Sequence, residues 1–258
     1  MTQSSLKDFA QSARRDLLQQ VEARLNYWIG ADGSGADVDT AEHRQFAPQI
    51  KELQAAYKRE GREALIERVA YTWFNRLAAL RFMDANGYHP FGANVVMPAT
   101  ANETMPNVLQ QARAGVLDPD LRATIGNTGT FDDLLAGRIP GANAQAEAYR
   151  MLVVAACNYY QRLMPFMFEK IGDATELLLP EDLLTEHSIA HAFRTELTDE
   201  DCRDVEVIGW LYQFYISEKK DEVMGRKGAV PKEDIPAVTQ LTFRTSKDRF
   251  LRDITRCA

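Results

Sequence analysis

The chain has 258 residues, of which 45% are hydrophobic, and 30 basic and 37 acidic side chains give it a net charge of −7. These values are typical of globular proteins and exclude collagen-like, low-complexity and wholly disordered chains. The acidic balance also argues against a protein that simply coats nucleic acid, because such proteins are basic overall.

The N-terminal third predicts three helices. Apolar residues recur at steps of three and four over 6–29 and again over 62–86, which is the spacing of one helix face. A shorter, more charged helix is predicted over 46–60, ended by Gly61. The strongest helix, 62–86, has Asn86–Gly87 as a left-handed C-cap. Two of its cations, Arg76 and Arg81, are expected to be solvated or ion-paired.

Residues 89–140 have a different character, with prolines and glycines between short apolar pieces. They predict an irregular insertion with short helices near 105–114 and 131–135. Asp118–Pro119–Asp120 reads as a turn or a helix start. Gly126–Thr130 is rich in glycine, but no strand precedes it and no lysine follows it at a helix start, so a plain turn is predicted.

The rest of the chain is again predicted to be helical. Residues 144–168 are apolar on every face, which is typical of a central helix, and Pro165 is expected to bend or end it. Further helices are predicted over 181–192 and 205–218, the second preceded by a capping-box-like Thr198–Asp201. No repeat and no βαβ alternation is evident. The predicted fold is therefore mainly α, a multi-helix region with an irregular Pro- and Gly-containing insertion.

Motifs for chemistry are weak. His187 and His191 have the i, i+4 spacing of a zinc-binding helix, but Ser188 stands where the protease motif needs a glutamate, and no third ligand is near. Two surface or capping histidines are the favoured interpretation. Neither GxGxxG, GxxxxGK[ST] nor GxSxG occurs. Cys157 lies in the most apolar helix and is expected to be a packed, inert thiol. No catalytic, cofactor-binding or metal-binding residue is predicted.

A basic cluster follows the last predicted helix. Lys219, Lys220, Arg226 and Lys227 lie close to aromatic residues and are the candidate contacts to nucleic-acid phosphates. Acidic residues are interleaved with them, so a solvated loop is the favoured alternative.

The cellular setting follows from what the chain contains. The cysteines Cys157, Cys202 and Cys257 form no CxxC pair, which fits a reducing cytoplasm and not a disulfide framework or a zinc ribbon. Polar residues interrupt every apolar stretch, and the first residues lack a basic segment followed by an apolar one. The protein is expected in the cytoplasm, with no membrane partner.

Three stretches resemble one protein family. Residues 9–17 (FAQSARRDL), 70–83 (AYTWFNRLAALRFM) and 205–223 (VEVIGWLYQFYISEKKDEV), the last continuing through 233–241 (EDIPAVTQL), are similar to the adenine-specific DNA methyltransferases (PglX) of BREX phage-defence systems. The resemblance covers residues 1–241 in order.

The resemblance implies a function and also limits it. Members of this family are much longer, with a helical N-terminal region, a Rossmann-like domain that binds S-adenosylmethionine, and a target-recognition region. This chain resembles the first of these only, and the family's Asn-Pro-Pro-Tyr motif is absent from it. S-adenosylmethionine is therefore expected in the intact enzyme and not in this chain, which is predicted inactive alone. The implied partners are double-stranded DNA, through the intact enzyme, and other BREX components.

The resemblance ends at Leu241. The family continues with Phe-Thr-Pro, whereas here a tail of residues 242–258 holds five basic and two acidic side chains. A frameshift or truncation is one hypothesis for this tail, and a genuine short paralogue is the other. The alternative function is a stand-alone helical module that binds a defence-system partner. A functional tail of Arg244, Lys247, Arg249, Arg252 and Arg256 would favour it.

Overall fold

The computed structural model describes residues 3–35, 40–139, 143–164, 168 and 174–225. Within these ranges the chain forms helices and turns but no strand, which confirms the mainly α prediction. The α-helices are α1 (Gln3–Ile29), α2 (Ala41–Gln45), α3 (Ala47–Glu60), α4 (Arg62–Asn86), α5 (Asn107–Arg113), α6 (Pro119–Arg122), α7 (Thr128–Leu135), α8 (Ala144–Gln161), α9 (Ile189–Glu196) and α10 (Glu206–Gly225). The predicted boundary at residue 241 and the basic tail lie outside these ranges.

The centre of the fold is built from the two longest helices, α1 and α4, with α10 packed against both. The predicted stripe of α1 is buried from Leu6 to Trp28, and α4 is buried along most of its length. Gly87 ends α4 in the left-handed region, at φ +65°, as the Asn-Gly pair predicts. No helix within the described ranges has the length and apolar character needed to cross a bilayer.

Several predicted boundaries are wrong for local reasons. The helix predicted over 46–60 is α3, but the short helix α2 before it was not predicted; the Thr40 side chain caps α2, and the chain turns at Phe46 before α3. The helix predicted over 144–168 ends at Gln161. Gly126–Thr130 is a helix start and not a plain turn, since the Asn127 side chain accepts the Thr130 N–H and caps α7.

The helix predicted over 181–192 is also misplaced. Residues 181–188 form turns, in which the Asp182 carboxylate accepts the N–H groups of Leu184 and Thr185. The helix α9 begins only after Ser188, whose hydroxyl accepts the His191 N–H at 3.2 Å. Short polar side chains compete for backbone donors in this way and favour turns and caps over helix interiors.

Two arginines of α4, Arg76 and Arg81, are not solvated. Arg76 is 2% exposed and Arg81 is 1% exposed. Arg81 is ion-paired, with its Nη2 at 2.6 Å from Asp199 Oδ1. The Arg76 guanidinium lies 4.9 Å from the centre of the Trp73 ring. Both arginines therefore belong to the packed interior, where the sequence pattern alone did not place them.

The insertion is irregular, as predicted, and a single buried carboxylate attaches it to α4. Asp84 accepts the N–H of Val95 at 2.7 Å and those of Val96 and Met97 at 2.8 Å. The same carboxylate lies 2.7 Å from His89 Nε2. Because an ionised carboxylate has about four acceptor positions, these four contacts satisfy it in the interior. We call these residues the Asp84 anchor.

Two tyrosines of α8 complete the anchor. Tyr160 Oη lies 2.7 Å from His89 Nδ1, and Tyr149 donates to the Val95 carbonyl at 3.0 Å. Burial raises the pKa of Tyr149, so its hydroxyl stays protonated and remains a donor. The insertion is thus held between α4 and α8 by buried hydrogen bonds.

Candidate functional site

The predicted phosphate cluster is described only in part. Lys219 and Lys220 lie in the C-terminal half of α10. Arg226 and Lys227 lie outside the described residues. The structure therefore places two of the four candidates on one helix, and the cluster of four remains a prediction.

The helix that carries these lysines is docked on its neighbours through one buried face. Val207, Leu211 and Tyr215, spaced four residues apart, are all buried. A polar contact to α1 lies beside them, where Gln11 donates to the Ser217 hydroxyl at 3.1 Å. We call this contact region between α1, α4 and α10 the α10 seam.

The α10 seam contains a buried cation, Arg14, paired with partly buried carboxylates. The Arg14 guanidinium is 2.5 Å from Glu67 of α4 and 3.6 Å from Glu218 of α10. Arg15 also reaches Glu218, at 2.5 Å. Glu218 is therefore shared by two arginines of α1, which fixes the position of α10 along that helix.

The buried Tyr215 hydroxyl of the α10 seam has no hydrogen-bond partner among the described residues. Tyr215 is 2% exposed. Arg14 lies 5.8 Å from the centre of the same ring. Burial raises the pKa of Tyr215, and the nearby Glu67 carboxylate acts in the same direction.

A shallow depression of about 310 Å³ lies between α1 and the turns before α9, lined by Gln20, Ala23, Arg24, Pro180, Glu181, Asp182, His187 and Ser188. Arg24 Nη1 is 3.3 Å from Glu181 Oε2. Burial lowers the pKa of Arg24, and the neighbouring Arg150 lowers it further. Since both signs of charge line the depression and its partly buried cation, Arg24, is already paired, the depression favours no class of ligand.

The paired histidines do not share a helix face. His187 precedes α9, and only His191 lies on it, with Nδ1 at 2.6 Å from Arg194 Nη2. Within the ranges that the structure covers, no three His, Cys, Asp or Glu side chains are grouped closely enough to hold a metal ion.

The described cysteines have the properties of packed thiols. Cys157 and Cys202 are both fully buried, as predicted for Cys157. Burial raises the pKa of each thiol to about 12. A nucleophilic cysteine needs a lowered pKa, so neither has the environment of a catalytic thiol.

The outer face of α3 presents two cations that the sequence analysis did not single out. Lys51 and Lys58 are exposed, and no carboxylate of the described residues lies within salt-bridge distance of either. Leu53 and Ala56, on the opposite side, are the buried residues of this helix. The seven-residue spacing of the lysines was the available signal, because it places both on one face of a helix.

The described residues do not fit S-adenosylmethionine in the way that the family's Rossmann-like domain would. Such a site needs a glycine-rich loop between a strand and a helix. Gly126–Thr130 opens α7, but the residues before it belong to a turn after α6, and no strand is present in the described ranges. No step of methyl transfer can be derived from these residues.

Fold and side chains together define a helical region in which the described residues form no catalytic constellation. No family model matches the chain. It is similar to two adenine-specific methyltransferases, BrxX of Escherichia coli O9:H4 (strain HS) and PglX of Lacticaseibacillus casei (strain Zhang). The first is 37% identical over 259 residues, covering 93% of this chain and 20% of the relative. The second is 30% identical over 273 residues, covering 93% of this chain and 22% of the relative.

These relatives confirm the resemblance to the BREX adenine-specific methyltransferases that the sequence motifs indicated. The chain spans about a fifth of the length of the relatives that it matches. The match therefore concerns one region of a much longer type of protein.

Proposed function

We propose that the chain is the helical N-terminal region of a DNA adenine-N6 methyltransferase of a BREX phage-defence system, and that it acts as a scaffold for the catalytic part. One observation carries the proposal: the similarity extends over 93% of the chain but over only 20–22% of the relatives. The described fold supports it, since helices packed on one core position surfaces without forming a catalytic site.

In this proposal, S-adenosylmethionine and the flipped adenine bind to the part of the enzyme that the chain does not resemble. The chain contributes packing surfaces and contacts to the backbone of double-stranded DNA. Its place is the cytoplasm, where that DNA is found, and other BREX components are its further partners.

A chimera tests the scaffold role. The matched region of the Escherichia coli relative is replaced by residues 1–241 of this chain, and N6-methyladenine is measured in the DNA of cells that express it. We expect methylation by the chimera and none by this chain alone. A chimera that folds and binds S-adenosylmethionine but does not methylate would contradict the scaffold role and favour the stand-alone interaction module.

A second measurement concerns the cofactor. Isothermal titration of the purified chain with S-adenosylmethionine is expected to show no saturable heat, and the active chimera is the positive control. Saturable binding by the chain alone would overturn the proposal that the cofactor binds elsewhere.

A further inference from the structure

The helix α3 has an exposed face opposite its buried side. Successive helical residues are about 100° apart, so seven residues fall only about 20° short of two full turns. Lys51 and Lys58 therefore project side by side, away from the buried Leu53 and Ala56. Ala55, also exposed, lies between them on the same face.

Unlike Lys51 and Lys58, three described arginines near α3 are paired with carboxylates. Arg59 is 2.5 Å from Glu60, Arg68 is 2.7 Å from the same carboxylate, and Arg62 is 3.0 Å from Glu22. The charge of the two lysines has no such neutralisation from the described residues. In a chain with a net charge of −7, these two lysines are exposed positive side chains on one helix face, and the exposed Glu52 lies about 100° around the helix from Lys51.

The spacing of the two cations suits a regular polyanion. Seven helical residues advance by about 10.5 Å. One strand of B-DNA carries a phosphate about every 3.4 Å along the axis, so this advance matches about three steps. Lysine side chains are long and flexible, and they act on phosphates as point charges without requiring a planar fork.

We infer that the outer face of α3, through Lys51 and Lys58, contacts the phosphate backbone of double-stranded DNA without reading its sequence. The inference deepens the proposed function and rests on it, because it names the surface through which the scaffold touches DNA. It is independent of the cluster of Lys219, Lys220, Arg226 and Lys227.

The test measures the binding of the full chain to a labelled DNA duplex by fluorescence anisotropy at several salt concentrations. The double variant Lys51→Gln/Lys58→Gln should lower the slope of log affinity against log salt by about 1.8, since each phosphate contact contributes about 0.9. Affinity should fall by roughly tenfold or more in 0.1 M salt. Two duplexes of unrelated sequence should give the same result.

The matched control removes the same charge elsewhere. Lys7 and Arg113 are exposed cations on α1 and α5, with no salt-bridge partner among the described residues. Arg62, two residues after the end of α3, contacts Glu22, and the 15 residues from Lys7 to Glu22 span about 22 Å of α1. Lys7→Gln/Arg113→Gln should leave the salt slope unchanged.

A gain of charge gives a second, opposite readout. Ala55→Lys adds a cation between the two lysines and should raise the salt slope by about 0.9, whereas Ala101→Lys in the exposed part of the insertion should not. Circular dichroism establishes that each variant is folded. Absence of salt-dependent duplex binding by the wild-type chain, or an unchanged slope in the double variant, overturns the inference. The methylation chimera reports separately on the scaffold role.

Discussion

At the scale of single residues, Asp84 holds the insertion against α4. Its carboxylate accepts three consecutive backbone N–H groups, which are the obligatory donors of an otherwise irregular segment. Nothing in the sequence around Asp84 indicates this role, because its partners lie 11 to 13 residues further along the chain. A pattern of hydrophobic spacing cannot report a hydrogen bond between a helix and a loop.

Replacing Asp84 by Asn should destabilise the fold by about 2–4 kcal/mol, because the amide NH₂ would face a backbone donor and leave buried groups unpaired. Urea unfolding followed by circular dichroism measures the difference. Asp133→Asn is the control, since Asp133 is an exposed partner of Arg138 and such surface pairs contribute about 0–1 kcal/mol. Equal losses in the two variants would show that the anchor is not a major source of stability.

In contrast to Asp84→Asn, Tyr215→Phe should not destabilise the fold. The Tyr215 Oη is buried without a described hydrogen-bond partner, so its removal takes away an unsatisfied polar group while the ring remains in place. We expect unchanged stability or a gain of up to about 1 kcal/mol in urea unfolding. A loss above about 1 kcal/mol would mean that the hydroxyl has a partner. Tyr149→Phe, which removes the hydrogen bond to Val95, should be destabilising and serves as the comparison.

The raised thiol pKa values also lead to a measurement. Because burial raises the pKa of Cys157 to about 12, the thiol is protonated at pH 8 and has almost no reactive thiolate. Iodoacetamide at pH 8 should leave the peptide containing Cys157 unmodified in the native protein and should alkylate it in urea. Rapid labelling of native Cys157, read by mass spectrometry, would contradict its burial in the core.

At the scale of elements, the sequence predicts best where one periodic face decides the structure. The stripe of α1 and the Asn-Gly end of α4 were predicted correctly because each depends on residues within one helix. The start of α9, governed by the Ser188 cap, was misplaced by several residues, and the short helix α2, capped by Thr40, was not predicted. The lysine pair of α3 was missed because a sequence shows charge spacing but not which carboxylates lie near in space.

The docking of α10 provides a test at this scale. Leu211 is fully buried between α10 and its neighbours, and Leu211→Ala should destabilise the fold by about 2–5 kcal/mol. Gln213→Ala, at an exposed position of the same helix, should change stability by less than about 0.5 kcal/mol. Hydrogen exchange should show faster exchange of α10 amides in the first variant only, and unchanged protection would contradict the packing described for the α10 seam.

At the scale of the whole molecule, one hydrophobic core connects the described elements. The cluster of buried residues runs from Leu6 through the insertion to Tyr215. The Asp84 anchor joins the insertion to the same core. The insertion is therefore expected to unfold with the long helices and not as a separate unit.

This expectation can be measured with two probes. The first probe is tryptophan fluorescence, to which Trp28 and Trp73 on the buried faces of α1 and α4 contribute. The second is circular dichroism, which reports on all helices. The two urea transitions should coincide in a single step, as in a two-state protein. Separate midpoints would show that part of the chain forms an independent unit.

The attachment of the insertion has a practical consequence for protein engineering. On either side of the exposed residues 99–104, the chain is joined by backbone hydrogen bonds, from Asn107 to Met97 and from Val108 to Asn94, each 2.9 Å long. Extra residues inserted between Ala101 and Asn102 would lengthen a loop whose ends are already held together, and each doubling of its length costs only about 0.6 kcal/mol. This position is a suitable entry point for a fluorophore tag or an affinity peptide, which would make an irregular loop into a handle for observing the protein at work.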